Sequence, residues 1–336
     1  EWMPVTFFKH TGGKFKNVTS LSGIGSLTGW WNSIAAGDFR HTGRTDYIVG
    51  NLGLNTFYRG DESAPLAITA KDFESNGAFV AITSLYLPDQ QGQKKEFPAF
   101  GRDDIAKQFP GIKTRFPTYK SFALATIDDI LTPEQRKGAN YLQANMLQSC
   151  FLRNDGAGKF TLIPLPREAQ VSVVNGMVVD DFDGDGNLDV LINGNDYGTE
   201  AATGRYDALN GLLLKGDGKG GFSPRSIGES GIYIPHDGKA LVKLMGPAGN
   251  YLVAASQHQD VLKLYQLKRT VKAMRVNADD VSAVVTYRDH KMRKEEFYYG
   301  NSFLSQSSRF LLIDSTVESV KIKNFKGELR KLNFEK

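Results

Sequence analysis

Three stretches of this 336-residue chain follow one plan. FFKHTGGKF ends at Phe15, LRNDGAGKF at Phe160 and LKGDGKGGF at Phe222. Each reads as an apolar strand, a glycine turn that needs left-handed backbone, and a phenylalanine opening the next strand, which together make a β-hairpin. An acidic loop follows in phase, Asp38 coming 23 residues after Phe15 and Asp181 coming 21 residues after Phe160. AAGDFRHTGRTDYIVGN and VVDDFDGDGNLDVLINGN are thus two copies of one strand, loop, strand element. A third copy, AKDFESNGAFVAI, starts its loop at Asp72, and KLMGPAGNYLVAA near Lys243 keeps only the apolar, turn, apolar shape. Phe160 and Phe222 are 62 residues apart, which sets the repeat length. Repeated antiparallel units of this size bury their apolar faces by stacking, so the chain is expected to be all-β, with a β-propeller, partial or complete, favoured over a sandwich or barrel.

The repeats are unevenly spaced because other material interrupts them. Between about 94 and 149 the strand pattern stops. Asp103 precedes DIAKQF, and Thr132-Pro133-Glu134-Gln135 offers a cap, a proline at the first helical position and a capping box. A helical insertion between blades is expected there. From about residue 262, LKLYQLK, AVVTY, EEFYYG, RFLLI and VESVKIKNF are short β-type runs without acidic loops. The expected organisation is repeat blades over 1–264 and a C-terminal β module over 265–336.

The loop in DDFDGDGNLDVLI (180–192) carries the clearest chemistry. Counted from Asp181, carboxylates fall at positions 1, 3, 5 and 9, and Gly186 stands at position 6. Alternate side chains on a tight loop converge, and the glycine lets the carbonyl of position 7, Asn187, join them. Such an oxygen cage suits calcium better than magnesium, which demands a smaller octahedron and keeps its water. Position 12 is Ile192 rather than glutamate, so the loop leads into a strand instead of an EF-hand helix. In the Asp38 copy, Arg40 and Thr42 occupy positions 3 and 5, and only Asp38 and Asp46 remain acidic. A guanidinium there is expected to neutralise the carboxylates in place of a metal. In the Asp72 copy, Glu74 and Asn76 keep oxygen donors but Val80 replaces the acid at position 9, so weak or no metal binding is expected.

These loops, embedded in repeated hairpins, resemble the FG-GAP or VCBS repeat of integrin-α-type β-propellers over roughly residues 1–260, most closely at 172–195. The resemblance implies calcium held by Asp181, Asp183, Asp185, the Asn187 carbonyl and Asp189. It also implies further blades upstream of Glu1, since such propellers are commonly seven-bladed. The stretch from Glu295 is similar to the ASPIC/UnbV module, matching over YYGNSFLSQSS and VESVKIKNFKGE. That module implies an extracellular, outer-membrane-surface or periplasmic setting in a bacterium.

Composition removes other classes. The chain balances 41 Lys and Arg against 37 Asp and Glu, and the net charge of +4 comes with no long basic stripe, which argues against nucleic acid. The densest basic stretch, RDHKMRK at 288–294, reads as a solvated strand or edge-protecting lysines. Cys150 is the single cysteine, so neither an intrachain disulfide nor a thiolate metal site is available. No apolar run reaches the length of a membrane span. GAGKFT at 156–161 imitates a phosphate loop but has Phe160 where a magnesium-binding hydroxyl is required, so it reads as a hairpin turn. The five histidines show no metal-ligand spacing.

Recognition is expected on the long loop NGNDYGTEAATGRYDALNG (193–211), with Asn195, Asp196, Tyr197, Glu200, Arg205, Tyr206 and Asp207. Its shorter counterpart GNLGLNTFYRG brings Asn51, Asn55, Tyr58 and Arg59. Together they are read as one face for a glycan or protein ligand; the competing reading is loops that pack against the helical insertion. The functional expectation is a non-enzymatic, calcium-stabilised binding or adhesion module at a bacterial cell surface. The alternative is a propeller enzyme, a polysaccharide lyase or glycosidase, which needs convergent acids, a base or an open metal position in its central channel.

Overall fold

The three hairpins read from the sequence are present, as Phe8–Thr11 with Lys14–Asn17, Cys150–Gly156 with Lys159–Pro164, and Leu212–Gly216 with Phe222–Arg225. In the GAGKFT turn Gly156 and Gly158 take φ of 88° and 75°, conformations that a side chain disfavours. The computed structural model describes residues 1–201 and 203–334. Ala202 of the long loop and the last two residues of the expected C-terminal module lie outside that set. The fold is all-β, a series of small antiparallel sheets of which none closes on itself. Among the described residues no helix is long and apolar enough to cross a membrane.

The chain divides into two compact units, one comprising 1–20, 25–30 and 56–147, the other 21–24, 31–55 and 148–336. The first holds a sheet in the order Asn140–Ala144, Leu66–Lys71, Val80–Pro88, Lys94–Pro98. Short helices between Arg102 and Arg136 pack Ile105, Phe109, Ile112, Phe122 and Ile130 against Ile82 of that sheet and Phe73 of the loop between its strands Leu66–Lys71 and Val80–Pro88. Thr132 and Gln135 form the expected capping box with Pro133 at the first turn. The helical stretch is narrower than 94–149, because KKEFP and NYLQA at its ends are strands. Five residues are too few to show a strand period, and their pairing is decided by the partner strands. The insertion also falls inside a repeat: Asp46–Gly50 and Cys150–Gly156 are hydrogen-bonded neighbours, and residues 56–147 lie between them in the chain.

The second unit contains three meanders. The first runs Ser33–Gly37, Asp46–Gly50, Cys150–Gly156, Lys159–Pro164; the second Val174–Asp180, Asp189–Gly194, Leu212–Gly216, Phe222–Arg225; the third Gly238–Met245, Tyr251–Gln257, Lys263–Gln266. Each acidic loop, 38–46 and 181–189, joins the first two strands of its meander. Ile48, Phe151, Met177, Val190, Ile192 and Leu214 fill the core between the first two. Lys263–Gln266 belongs to the third meander, on both sides of the boundary expected at 264/265. The later strands form a sheet in the order Met292–Glu296, Asp280–Tyr287, Val317–Asn324, Leu329–Asn333, with Lys272–Arg275 paired to Phe310–Ile313, and they fall in the same compact unit as the meanders.

The YYGNSFLSQSS motif has a legible structural role. Bulges interrupt the ladder between Val174 and Met177 and between Gly238 and Leu241. Inside the bulges Gly176 N donates to Asn193 Oδ1 at 2.7 Å and Ala240 N to Ser256 Oγ at 2.9 Å, but both strands also end their sheets, and the N–H groups on the outer edge need other partners. Met177 N donates to Ser302 Oγ at 2.9 Å, Leu241 N to Ser305 Oγ at 3.0 Å and Lys243 N to Ser307 Oγ at 3.0 Å. Ser302 N in turn donates to the Ile34 carbonyl at 3.1 Å. The motif therefore straps the first strands of all three meanders.

Candidate functional site

The three acidic loops share a frame that does not depend on metal. The carboxylate at position 1 accepts backbone N–H groups from the far side of its own turn: Asp38 from Thr42 and Gly43, Asp72 from Asn76 and Gly77, Asp181 from Gly184 and Gly186. Position 6 is glycine in all three, with φ between 71° and 87° at Gly43, Gly77 and Gly186. Position 4 is also left-handed, filled by His41, Ser75 and Gly184. At 184 a Cβ would meet the Arg269 guanidinium, so a side chain there would have to displace it.

Position 2 is phenylalanine in every copy, a signal visible in the three DF dipeptides but not used in the sequence reading. Phe39 makes edge contacts with Phe151 and Phe222, Phe182 with Tyr251, and Phe73 stacks on Phe109. Each loop thus drives one ring into the core beside it, which fixes where its carboxylates stand.

In the 181–189 loop, Asp181, Asp183 and Asp189 offer oxygens that lie within 4.8 Å of one another, and among the described residues no other acidic, histidine or cysteine group of three converges in this way. Asp181 and Asp189 are buried and Asp183 is exposed. Asp189 also ties the loop to its sheet, accepting from Phe182 N at 3.0 Å and Gly216 N at 2.9 Å. Burial pushes its carboxyl up to about 7 and raises Asp181 as well, and the neighbouring carboxylates add to the rise at Asp189. At Asp181 burial outweighs the opposing charges of Arg293 and Arg269, so the buried end of the donor set is not fully neutralised by the chain and fits a hard divalent cation, which would hold these carboxylates ionised.

Asp185 stands apart from the convergent trio. Its carboxylate accepts from Asn187 N at 2.9 Å and lies 2.9 Å from the Lys215 ammonium, which also engages Asp183. Burial alone would raise the Asp185 carboxyl, but Lys215 and Asn187 hold it below the usual range. The Asn187 side chain contacts the His41 ring at 2.9 Å. Asp180, the extra acid before the loop, is buried against Lys243 at 2.8 Å and Tyr251 at 3.2 Å; burial opposes its ionisation, but Lys243 outweighs that and keeps its pKa low.

The Asp38 loop holds a guanidinium where the other has convergent acids. Arg40 grips Asp46 in a two-pronged pair at 2.9 and 3.0 Å, and Asp46, with its side chain wholly buried, also accepts from Asn154 N at 2.7 Å. The expected neutralisation thus falls on Asp46 directly, whereas Asp38 accepts a further hydrogen bond from Lys294 N at 3.1 Å. In the Asp72 loop the Asn76 amide donates to Glu74 at 3.2 Å, and both remain exposed.

The expected recognition residues separate into two sets. Asn51 and Asn195 are fully buried and serve the chain. Asn195, at φ 83°, donates to the carbonyls of Leu209 at 2.7 Å and His236 at 2.9 Å and accepts from Leu209 N, while Asn51 donates to Gln148 O and accepts from Leu52 N. Neither presents its amide to a ligand, because the backbone of irregular loops must be satisfied from within. Tyr206 is also buried, and pairs through its backbone with Asp196.

Tyr197, Glu200, Arg205, Asp207 and Asp196 remain at least partly accessible, with the Arg205 guanidinium 4.7 Å from the Tyr197 ring centre. Lys239 joins Asp196 at 3.6 Å to buried Asp237 at 2.6 Å. His258 and His236, set aside in the sequence reading, pair with Asp237 at 3.5 Å and Asp260 at 3.0 Å. Their spacing in sequence gives no hint of this. Cys150 is buried, its thiol pushed up to about 12, and it is inert. No family model matches the chain, and no curated protein matches it at a significant level.

Proposed function

We propose that the chain is a calcium-stabilised β-propeller of the FG-GAP/VCBS type with an ASPIC/UnbV-like module, acting as a non-enzymatic binding or adhesion module for a glycan or protein ligand at a bacterial cell surface. One observation carries the calcium reading: the 181–189 loop gathers three carboxylates on one point, and the 38–46 loop, built on the same frame, puts a guanidinium on its position-9 acid. Two loops of one shape that meet the same need for positive charge differently are best explained by an ion in the first. The propeller reading is supported by meanders whose first strands, 33–37, 174–180 and 238–245, are spatial neighbours.

The ligand would meet the polar face of loop 193–211, where Tyr197 and Arg205 offer an aromatic and cationic surface beside Asp207, Asp196 and Lys239. Such mixed loops on a rigid β scaffold suit sugars and polar peptides. Calcium at a hundred times its Kd stabilises the fold by about 2.7 kcal/mol. Calorimetric titration with calcium, melts with calcium or chelator, and the Asp183→Ala variant test the metal. Coincident melts in the parent, with a variant that melts like it, would remove the calcium reading. A glycan array beside a pull-down from surface extracts tests the ligand class, and Tyr197→Ala with Arg205→Ala should abolish any hit.

A further inference from the structure

Arg293 raises a question that the calcium reading does not answer. It sits mid-strand in the basic run read as a solvated strand or edge-protecting lysines; the strand is a sheet edge, yet only 4% of the Arg293 side chain is exposed. Glu295 holds its Nε at 2.7 Å, and Nη1 donates at 2.8 Å to the carbonyl of Gly186, position 6 of the acidic loop. Arg269 does the same at position 1, donating to the Asp181 carbonyl at 2.8 Å while pairing with Asp314. Two carbonyls of the cation loop are therefore held by arginines of the C-terminal part of the chain.

The other loop grips the same hairpin. Met292–Glu296 is an edge strand, paired among the described residues with Asp280–Tyr287 alone. Its free edge meets loop 38–46: Lys294 N donates to Asp38, the His41 ring contacts the Met292 carbonyl at 3.2 Å, and Thr45 Oγ1 donates to Glu296 at 2.9 Å. His41 touches Asn187 as well, so it spans from one loop to the other. An exposed edge strand is a liability that proteins cover, and here loop 38–46 covers it while loop 181–189 takes the Arg293 guanidinium of the same strand. This accounts for the retention of Asp38 in a copy whose other positions no longer suit a metal.

We propose that the two acidic loops form the seat of the C-terminal hairpin 280–296, and that calcium binding at 181–189 tightens this seat. The inference rests on the calcium reading above. Ordering the carboxylates around an ion fixes the carbonyls of Asp181 and Gly186, and these are the acceptors of Arg269 and Arg293. Loop order and hairpin docking then share contacts, and their coupling is reciprocal.

Amide hydrogen exchange on the full chain, with calcium and with chelator, tests it against a calorimetric titration. Exchange within 280–296 should slow about tenfold on calcium addition, a typical coupling, while the 150–164 hairpin changes far less. His41→Leu, which cuts the link from Asn187 to Met292, should shrink that difference. Binding with no differential protection of 280–296 overturns the coupling alone. Calorimetric silence removes the calcium reading and the coupling with it. Equal protection across the unit shows general stabilisation and also overturns the proposal.

Discussion

The Lys215 ammonium lies 2.9 Å from Asp185 and also engages Asp183, so the outer carboxylates of the acidic loop already hold a cation supplied by the chain. On the calcium reading proposed above, the ion must compete with it. Lys215 projects from Leu212–Gly216, the strand to which Asp189 bolts the loop, and its position is set by the sheet. Lys215→Met removes the competitor and keeps the apolar stem. Calcium affinity should rise roughly tenfold at low salt and less at high salt, because the pair is partly exposed. Titration calorimetry of both proteins reads this directly, and an unchanged or weaker Kd would contradict it.

The buried end of the loop sets a pH dependence. Burial holds the Asp189 carboxyl at about 7 and Asp181 above its usual value. A carboxylic acid raised in the folded state contributes stability that is complete below its unfolded pKa and is lost as pH rises through the folded one. Calcium-free protein should therefore lose stability between about pH 4 and about pH 7 through these groups. With saturating calcium, which binds the ionised forms, the slope over that window should reverse. Urea midpoints across the range, with and without calcium, measure it, and Asp189→Asn should flatten both slopes. A calcium-free slope that Asp189→Asn leaves untouched would assign the effect elsewhere.

Much of this was legible in the sequence because turn chemistry is local. The hairpins ending at Phe15, Phe160 and Phe222, the strand, loop, strand elements and the capping box at Thr132 all depend on residues within a few positions of one another. The convergence of Asp181, Asp183 and Asp189 was legible for the same reason. What stayed hidden depends on distant pairing. KKEFP and NYLQA became strands through their neighbours in the sheet, and residues 56–147 split a repeat instead of separating two. Asn51 and Asn195 looked like surface amides because a polar loop gives no sign of which side chain turns inward. Arg293 was misread for the converse reason, since a guanidinium is buried only where carbonyls and carboxylates from other segments meet it.

Asn195 gives a separate test of scaffold against ligand roles. Its amide holds together Leu209, near the end of the long loop, and His236, in the segment that leads into Gly238–Met245. Asn195→Ala leaves buried carbonyls without a donor and puts a Cβ-bearing residue without a local hydrogen bond at φ 83°. A loss of about 3 kcal/mol is expected in urea unfolding. Asn195→Gly should be milder, since it removes the backbone strain. Loss of ligand binding at unchanged stability would return Asn195 to the recognition set.

The strongest test of the loop frame is to convert one copy into the other. Arg40→Met leaves the wholly buried Asp46 carboxylate with its Asn154 hydrogen bond but without its countercharge. Breaking a buried pair from one side should cost about 3 kcal/mol, lowering the unfolding midpoint at any calcium concentration. Arg40→Asp with Thr42→Asp does something different. It restores carboxylates at positions 3 and 5 on a loop that already has the position-1 acid, the left-handed position 4, the position-6 glycine and the position-9 acid. If those shared features define the cage, the double variant should bind one more calcium equivalent than the parent, and calcium should return the stability that the loss of Arg40 removed. A titration that still shows the parental stoichiometry, in a variant that remains folded, would mean that the frame at 38–46 is committed to holding Lys294 and cannot close on an ion.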